Sequence, residues 1–158
     1  MTEIERIADQ LKRAFEGEAW HGPAVVEIFE GITAPQVAAR PFNGTHSIWE
    51  LVLHIAAWEG ACRRRLEGER AQLADAEDWP AVTDTNEQAW GQAKESLRQA
   101  HEELRYAVSE LDETRLDQPI IEGMSSVYVT LHGAVQHSLY HAGQIALLKK
   151  ASSQQENL

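Results

Sequence analysis

Apolar residues recur at three- and four-residue steps almost throughout this chain, and the two-residue alternation of a β-strand is scarcely visible. Ile4, Ile7, Leu11 and Phe15 mark a first helix that ends near Gly17. Pro23 opens a short segment with Val25, Val26 and Phe29 on its buried side, and Gly31 follows it. Pro35, Pro41 and Gly44 then make ITAPQVAARPFNG an irregular connection. Ser47 and Glu50 form a capping box opening a helix through Leu51, Val52, Ile55, Trp58 and Cys62 to about Glu67. After a polar stretch, Asp84 and Glu87 resemble a second capping pair. Trp90, Ala93, Leu97, Ala100, Leu104, Ala107 and Leu111 form the seam that follows, and DETRLDQP ends it. The last helix starts near Ser125 or Ser126, with Val127, Leu131, Ala134, Val135, Ile145 and Leu148 as its stripe. These readings predict an all-α fold, an up-down four-helix bundle with an irregular crossover after the first helices. Residues 1–150 form one domain in this reading, and 151–158 a polar, frayed tail.

Composition narrows the function classes. With 14 Lys+Arg against 25 Asp+Glu the net charge is −11, and no segment supplies the basic footprint of a nucleic-acid binder. Arg63, Arg64 and Arg65 read as a solvated helix end. No apolar leader or membrane-length run is visible, so a cytoplasmic protein is expected. The single Cys62 excludes an intrachain disulfide and a multi-cysteine zinc site, and its phase makes it a small buried hydrophobe.

Chemistry enters with VQHSLYHAGQIALLKK. His137 and His141 sit one turn apart on one helix face, close enough for both imidazoles to reach one metal ion. A third ligand comes from the second long helix, where His54 lies between Leu51 and Ile55 in an inward phase. One histidine from one helix and an i, i+4 pair from another give three imidazoles with coordination positions left open, the mark of a reactive rather than a structural site. His132 lies about 180° from His141 and is excluded by phase. His101, followed by Glu102 and Glu103, reads as surface, and His46 as part of the approach to its helix. His21 is a minor candidate for a loop over the bundle mouth. Gln144 faces the ligand side, where it either orients an imidazole or packs. Tyr140 reads as a helix-packing residue, Trp49 and Trp90 as core, and Trp58 as both core and pocket wall.

The regions AWHGPAVVEIFEGITAPQVAARP, HSIWELVLHIAAWE and HSLYHAGQI together resemble the DinB-like (YfiT-like) metal-dependent proteins over nearly the whole chain. That resemblance implies a four-helix bundle, frequently dimeric, whose three histidines bind a divalent metal such as nickel or zinc. Carried over, the ligands are His54, His137 and His141, the three that helical phase selects.

A divalent ion on three neutral imidazoles supports metal-dependent hydrolysis, because it lowers the pKa of bound water to about 7. HSLYH lacks the glutamate of the HExxH proteases, so a base must come from elsewhere. Glu50, one turn before His54, is nearest by phase, although its capping position suits a structural role better. Two other readings use the same site. One is thiol-dependent transfer or isomerisation, the metal holding a low-molecular-weight thiol, and the other a non-catalytic, stress-related metal-binding bundle. Imidazole favours nickel, copper and zinc over iron and manganese, and availability decides the occupant.

Overall fold

Reciprocal caps start the helices where short polar side chains precede apolar runs. The computed structural model describes residues 1–155. Thr2 and Glu5 exchange bonds across the first turn of α1 (Glu3–Phe15), and Ser47 and Glu50 do the same for α4 (Ile48–Leu66). Between these lie two short helices, α2 (Val25–Ile28) and α3 (Ala34–Ala38). The second corrects the reading of that stretch as irregular throughout. Pro35 starts a helix there instead of breaking one, because a first-turn proline forfeits no intrahelical bond.

A further short helix, α5 (Asp75–Asp78), precedes α6 (Glu87–Ser109). Asn86, not Asp84, caps α6, its side chain accepting from the Ala89 N–H. Asp84 accepts from the Asn86 N–H, and Glu87 reaches across to accept from the Ala34 N–H. The last helix, α7 (Val127–Gln155), is stitched at its start by Ser126 Oγ, which accepts from the Val129 N–H. It continues into the segment read as a tail, with Ser152 buried; residues 156–158 lie outside the described residues.

Contacts along the helices fix their directions. Trp49 lies near Trp90, Glu59 near His101 and Arg63 near Glu103, so α4 and α6 run in the same sense. His54 meets His141 while Glu59 meets Ser138, so α7 opposes α4. Phe15 stacks on His101, and Glu113, beyond the end of α6, accepts from the Glu3 N–H, so α1 opposes α6. The four long helices therefore run up, down, down, up instead of alternating. Parallel neighbours need a return crossing, and residues 67–86 provide it. A 19-residue helix is about 28 Å long, well within the reach of some twenty extended residues. This second crossover carries Asp78 and Trp79 back over the start of α4.

Two apolar clusters fill the bundle, one at each end. Phe15, Trp49, Ile55, Trp90, Leu97 and Ile145 belong to one, and Ile7, Leu11, Leu104, Val108, Val127 and Leu131 to the other. Between them runs a polar belt in which Glu59, His101, Ser138, His54 and His141 are all at most 6% exposed. The seam of α6 departs from expectation at this level. After Leu97 the buried stripe steps four residues to His101 and later to Val108, leaving Ala100 and Ala107 half-buried. His101 is thus a core residue and not a surface one. Among the described residues no helix is long and apolar enough to cross a membrane.

Candidate metal centre

The second turn of α4 and the middle of α7 bring His54, His137 and His141 together, as their phases predict. His137 Nε2 lies 3.0 Å from His54 Nε2 and 3.1 Å from His141 Nε2. Potential ligand atoms of the three residues all fall within 4.8 Å of one another. The inner ring nitrogens thus converge from two helices onto one point.

The outer nitrogens decide what that point can accept. His54 Nδ1 is 2.8 Å from the Asp78 carbonyl oxygen and donates to it, with Asp78 Oδ1 a further 3.1 Å contact. His141 Nδ1 donates to Gln144 Oε1 at 2.7 Å. A neutral imidazole has one N–H, so both rings present bare Nε2 lone pairs inward. His137 can donate one proton at most and cannot satisfy both neighbours. Two fixed inward lone pairs, with a third from His137 when its proton sits on Nδ1, suit a cation, and bonds of about 2.0–2.1 Å would set the nitrogens about 3 Å apart, near the spacing observed. The donor set fits a divalent ion with nitrogen preference.

Electrostatics favours the neutral form of His137 and His141. Burial, then the neighbouring His141 and His54, pushes His137 down to about 4. Burial also lowers His141, against the opposing bond to Gln144. Neutral imidazole is the form that ligates a metal, so the apoprotein is set for binding at neutral pH.

A cavity of about 460 Å³ adjoins the trio in the groove between α4 and α7. Trp58, Glu59, Cys62 and Arg65 line it from α4, and Thr130, Gly133, Ala134 and Tyr140 from α7. Burial pushes the Cys62 thiol up to about 11, so it remains protonated and behaves as the small hydrophobe its phase suggests. Trp58 is a pocket wall, and its Nε1 donates to Asp78 Oδ1 at 2.6 Å. Tyr140 corrects its packing assignment: it is 66% exposed and stands edge-on to His141 at the cavity.

Three other histidines keep out of the trio. His132 stays away from it, against Tyr128. His21 is exposed beside Arg13 and Leu139, away from this cavity. His46 stacks on Trp79 at 3.6 Å, and Trp79 stacks in turn on His54 at 3.9 Å. Glu50 is committed to its cap and to Arg40. Burial pushes its carboxyl up, but the Ser47 bonds and the Arg40 charge hold it below the usual range.

Three contributions carry no signal in the sequence pattern. Asp78 and Trp79 come from a crossover without periodicity, and they orient and cover His54. The third is a buried unit behind the cavity. Glu59 accepts from His101 Nδ1 at 3.2 Å and from Ser138 Oγ at 3.3 Å, while His101 stacks on Phe15 with its Nε2 unpartnered. Glu59 is the buried carboxylate on the cavity wall that HSLYH lacks within its own helix.

The family model of the DinB superfamily matches residues 19–145, a span that includes all three histidines. No curated protein and no solved structure matches the chain. By that match over most of its length, the chain belongs to the DinB superfamily.

Proposed function

We propose that this protein binds one divalent metal, nickel or zinc, through the Nε2 atoms of His54, His137 and His141, and acts as a metal-dependent hydrolase in the adjoining cavity. The observation that carries this reading is the set of inward Nε2 lone pairs, two of them fixed by hydrogen bonds on the opposite ring nitrogen. An ion held there would polarise a substrate carbonyl and make water more acidic. The chain's own residues do the rest. Asp78 and Gln144 hold two ligand rings in their tautomers. Trp58 and Tyr140 wall the substrate space. Glu59, kept in place by His101 and Ser138, is the proton acceptor on the cavity wall.

Elemental analysis of untagged protein, with His54→Ala and His141→Ala beside it, tests the site. About one equivalent of metal in the wild type and far less in both variants is expected. Equal metal in all three would remove the site. Metal-loaded protein is then offered esters, amides and thiol–electrophile pairs. Ester or amide turnover that chelation abolishes supports hydrolysis. Turnover confined to thiol pairs assigns the same site to thiol transfer, and none with any class favours a binding role.

The homodimer implied by resemblance gains a physical motive from α7. Val129, Tyr140 and Leu147 are each more than half exposed along it. Sedimentation equilibrium at micromolar concentration should give twice the chain mass, and a monomer mass would reject the dimer.

A further inference from the structure

Three consecutive arginines close α4, and their side chains have different occupations. Arg63 pairs with Glu67 and Glu103, and Arg64 with Glu69. Among the described residues no carboxylate lies within ion-pair distance of Arg65, which lines the cavity. Its Nε donates to the Ala71 carbonyl at 2.9 Å, and its guanidinium carbon lies 5.4 Å from the Trp58 ring centroid. The head is thus anchored by one nitrogen and one aromatic contact, and its two terminal nitrogens have no hydrogen-bond partner among the described residues.

Helix geometry roots this cation three turns along α4 from His54, and its head reaches Trp58, whose ring centroid is 5.9 Å from that of His137, so Trp58 stands between the guanidinium and the histidines. Eleven residues separate His54 from Arg65, about three turns, which returns the chain to nearly the same face some 16 Å along the axis. Trp58 and Cys62 occupy the intervening turns on α4, with Ala134 and Gly133 opposite on α7. The groove therefore has three imidazoles on one side of Trp58, one unpaired guanidinium on the other and a mainly apolar wall between. In a chain of net charge −11, an unpaired cation inside a cavity selects strongly for its opposite. Both acidic residues of the cavity, Glu59 and Asp78, are engaged in hydrogen bonds of their own and would repel a multiply charged ligand.

We propose that the cavity takes an elongated organic monocarboxylate, its carboxylate forked on Arg65, its apolar middle along Trp58 and Cys62, and a metal-ligating atom at the histidines. The proposal deepens the hydrolase reading and rests on it for the metal end alone; the Arg65 end stands without metal. Planar guanidinium matches a carboxylate in two parallel bonds, whereas lysine offers a point charge.

Calorimetry with paired probes separates the two ends. On nickel-loaded protein, 6-mercaptohexanoate should bind at least about tenfold more tightly than 6-mercaptohexanol, in line with a charge-assisted bond. Arg65→Gln should erase that preference, and Arg65→Lys should keep part of it. Thermal melts of both variants check folding. Equal affinity for acid and alcohol in the wild type, or an undiminished preference in Arg65→Gln, would overturn the proposal. Hexanoate on metal-free protein gives the second arm. Binding that Arg65→Gln weakens upholds the anion site even if the histidines take up no nickel. No binding, or binding indifferent to Arg65→Gln, overturns it.

Discussion

The polar belt across this bundle contains two histidine assemblies built on opposite principles. At the cavity, His54 and His141 donate their Nδ1 protons outward and aim bare Nε2 atoms at a shared point. Behind it, His101 aims Nδ1 at the Glu59 carboxylate and leaves Nε2 buried against Phe15. The first assembly turns its Nε2 atoms toward one another and borders open space. The second contains its own acceptor, and although Glu59 forms part of the cavity wall, its His101 end is sealed. A buried imidazole is thus defined less by its burial than by where its one proton points.

The sealed assembly should dominate stability. Glu59→Ala strands the His101 ring in an apolar setting, and breaking such buried pairs costs about 3–5 kcal/mol. Urea denaturation should register that loss, and Glu59→Leu with His101→Phe should recover much of it. A Glu59→Ala protein as stable as the wild type would erase the distinction between the two assemblies.

The open assembly should dominate metal affinity. Removing one imidazole of three costs roughly 3 kcal/mol, about a hundredfold, if binding energy is shared among ligands as in structural zinc sites. His54→Ala should show that loss in a competition titration with a chromophoric chelator. His101→Phe should bind metal as the wild type does. Loss of affinity in His101→Phe would mean that the two assemblies act as one.

Only part of this division is written in local sequence pattern. His137 and His141 are legible because a helix places them one turn apart, and His54 because Leu51 and Ile55 fix its phase. The four-helix count and the Ser47–Glu50 cap are legible for the same local reason. Glu59 and His101 are not: they are 42 residues apart and meet only because α4 and α6 are parallel, which local periodicity cannot reveal. His101 is also masked by Glu102 and Glu103, since a single three-to-four change of step after Leu97 decides which residue faces inward. Asp78 and Trp79 lie on a crossover whose path depends on that same parallel arrangement. Local pattern identifies the three histidines of the trio, whereas topology identifies what supports them.

Gln144 gives a smaller effect at the edge of the open assembly. It accepts from His141 Nδ1, and removing such a partner usually weakens metal binding about 10–100-fold without removing the site. Gln144→Ala should retain full stoichiometry with weaker affinity in the chelator titration. Unchanged affinity would reduce Gln144 to a packing residue.

The smallest expected effect is a pH dependence of the metal-free protein. His137 in the folded chain is held down to about 4, whereas an unfolded histidine titrates near 6.5. Between those values the unfolded chain binds a proton that the folded chain refuses. Acidification from about 6.5 toward 4 therefore removes stability, and below both values the loss levels off. The ring is partly open to the cavity, so solvent moderates the loss. Urea midpoints of chelator-treated wild type and His137→Ala across that range give the test, with the variant expected to lose less on acidification. Identical slopes for the two proteins would mean that the crowding of His137 by its two neighbouring rings, the feature that sets the open assembly apart from the sealed one, has no energetic consequence until a metal arrives.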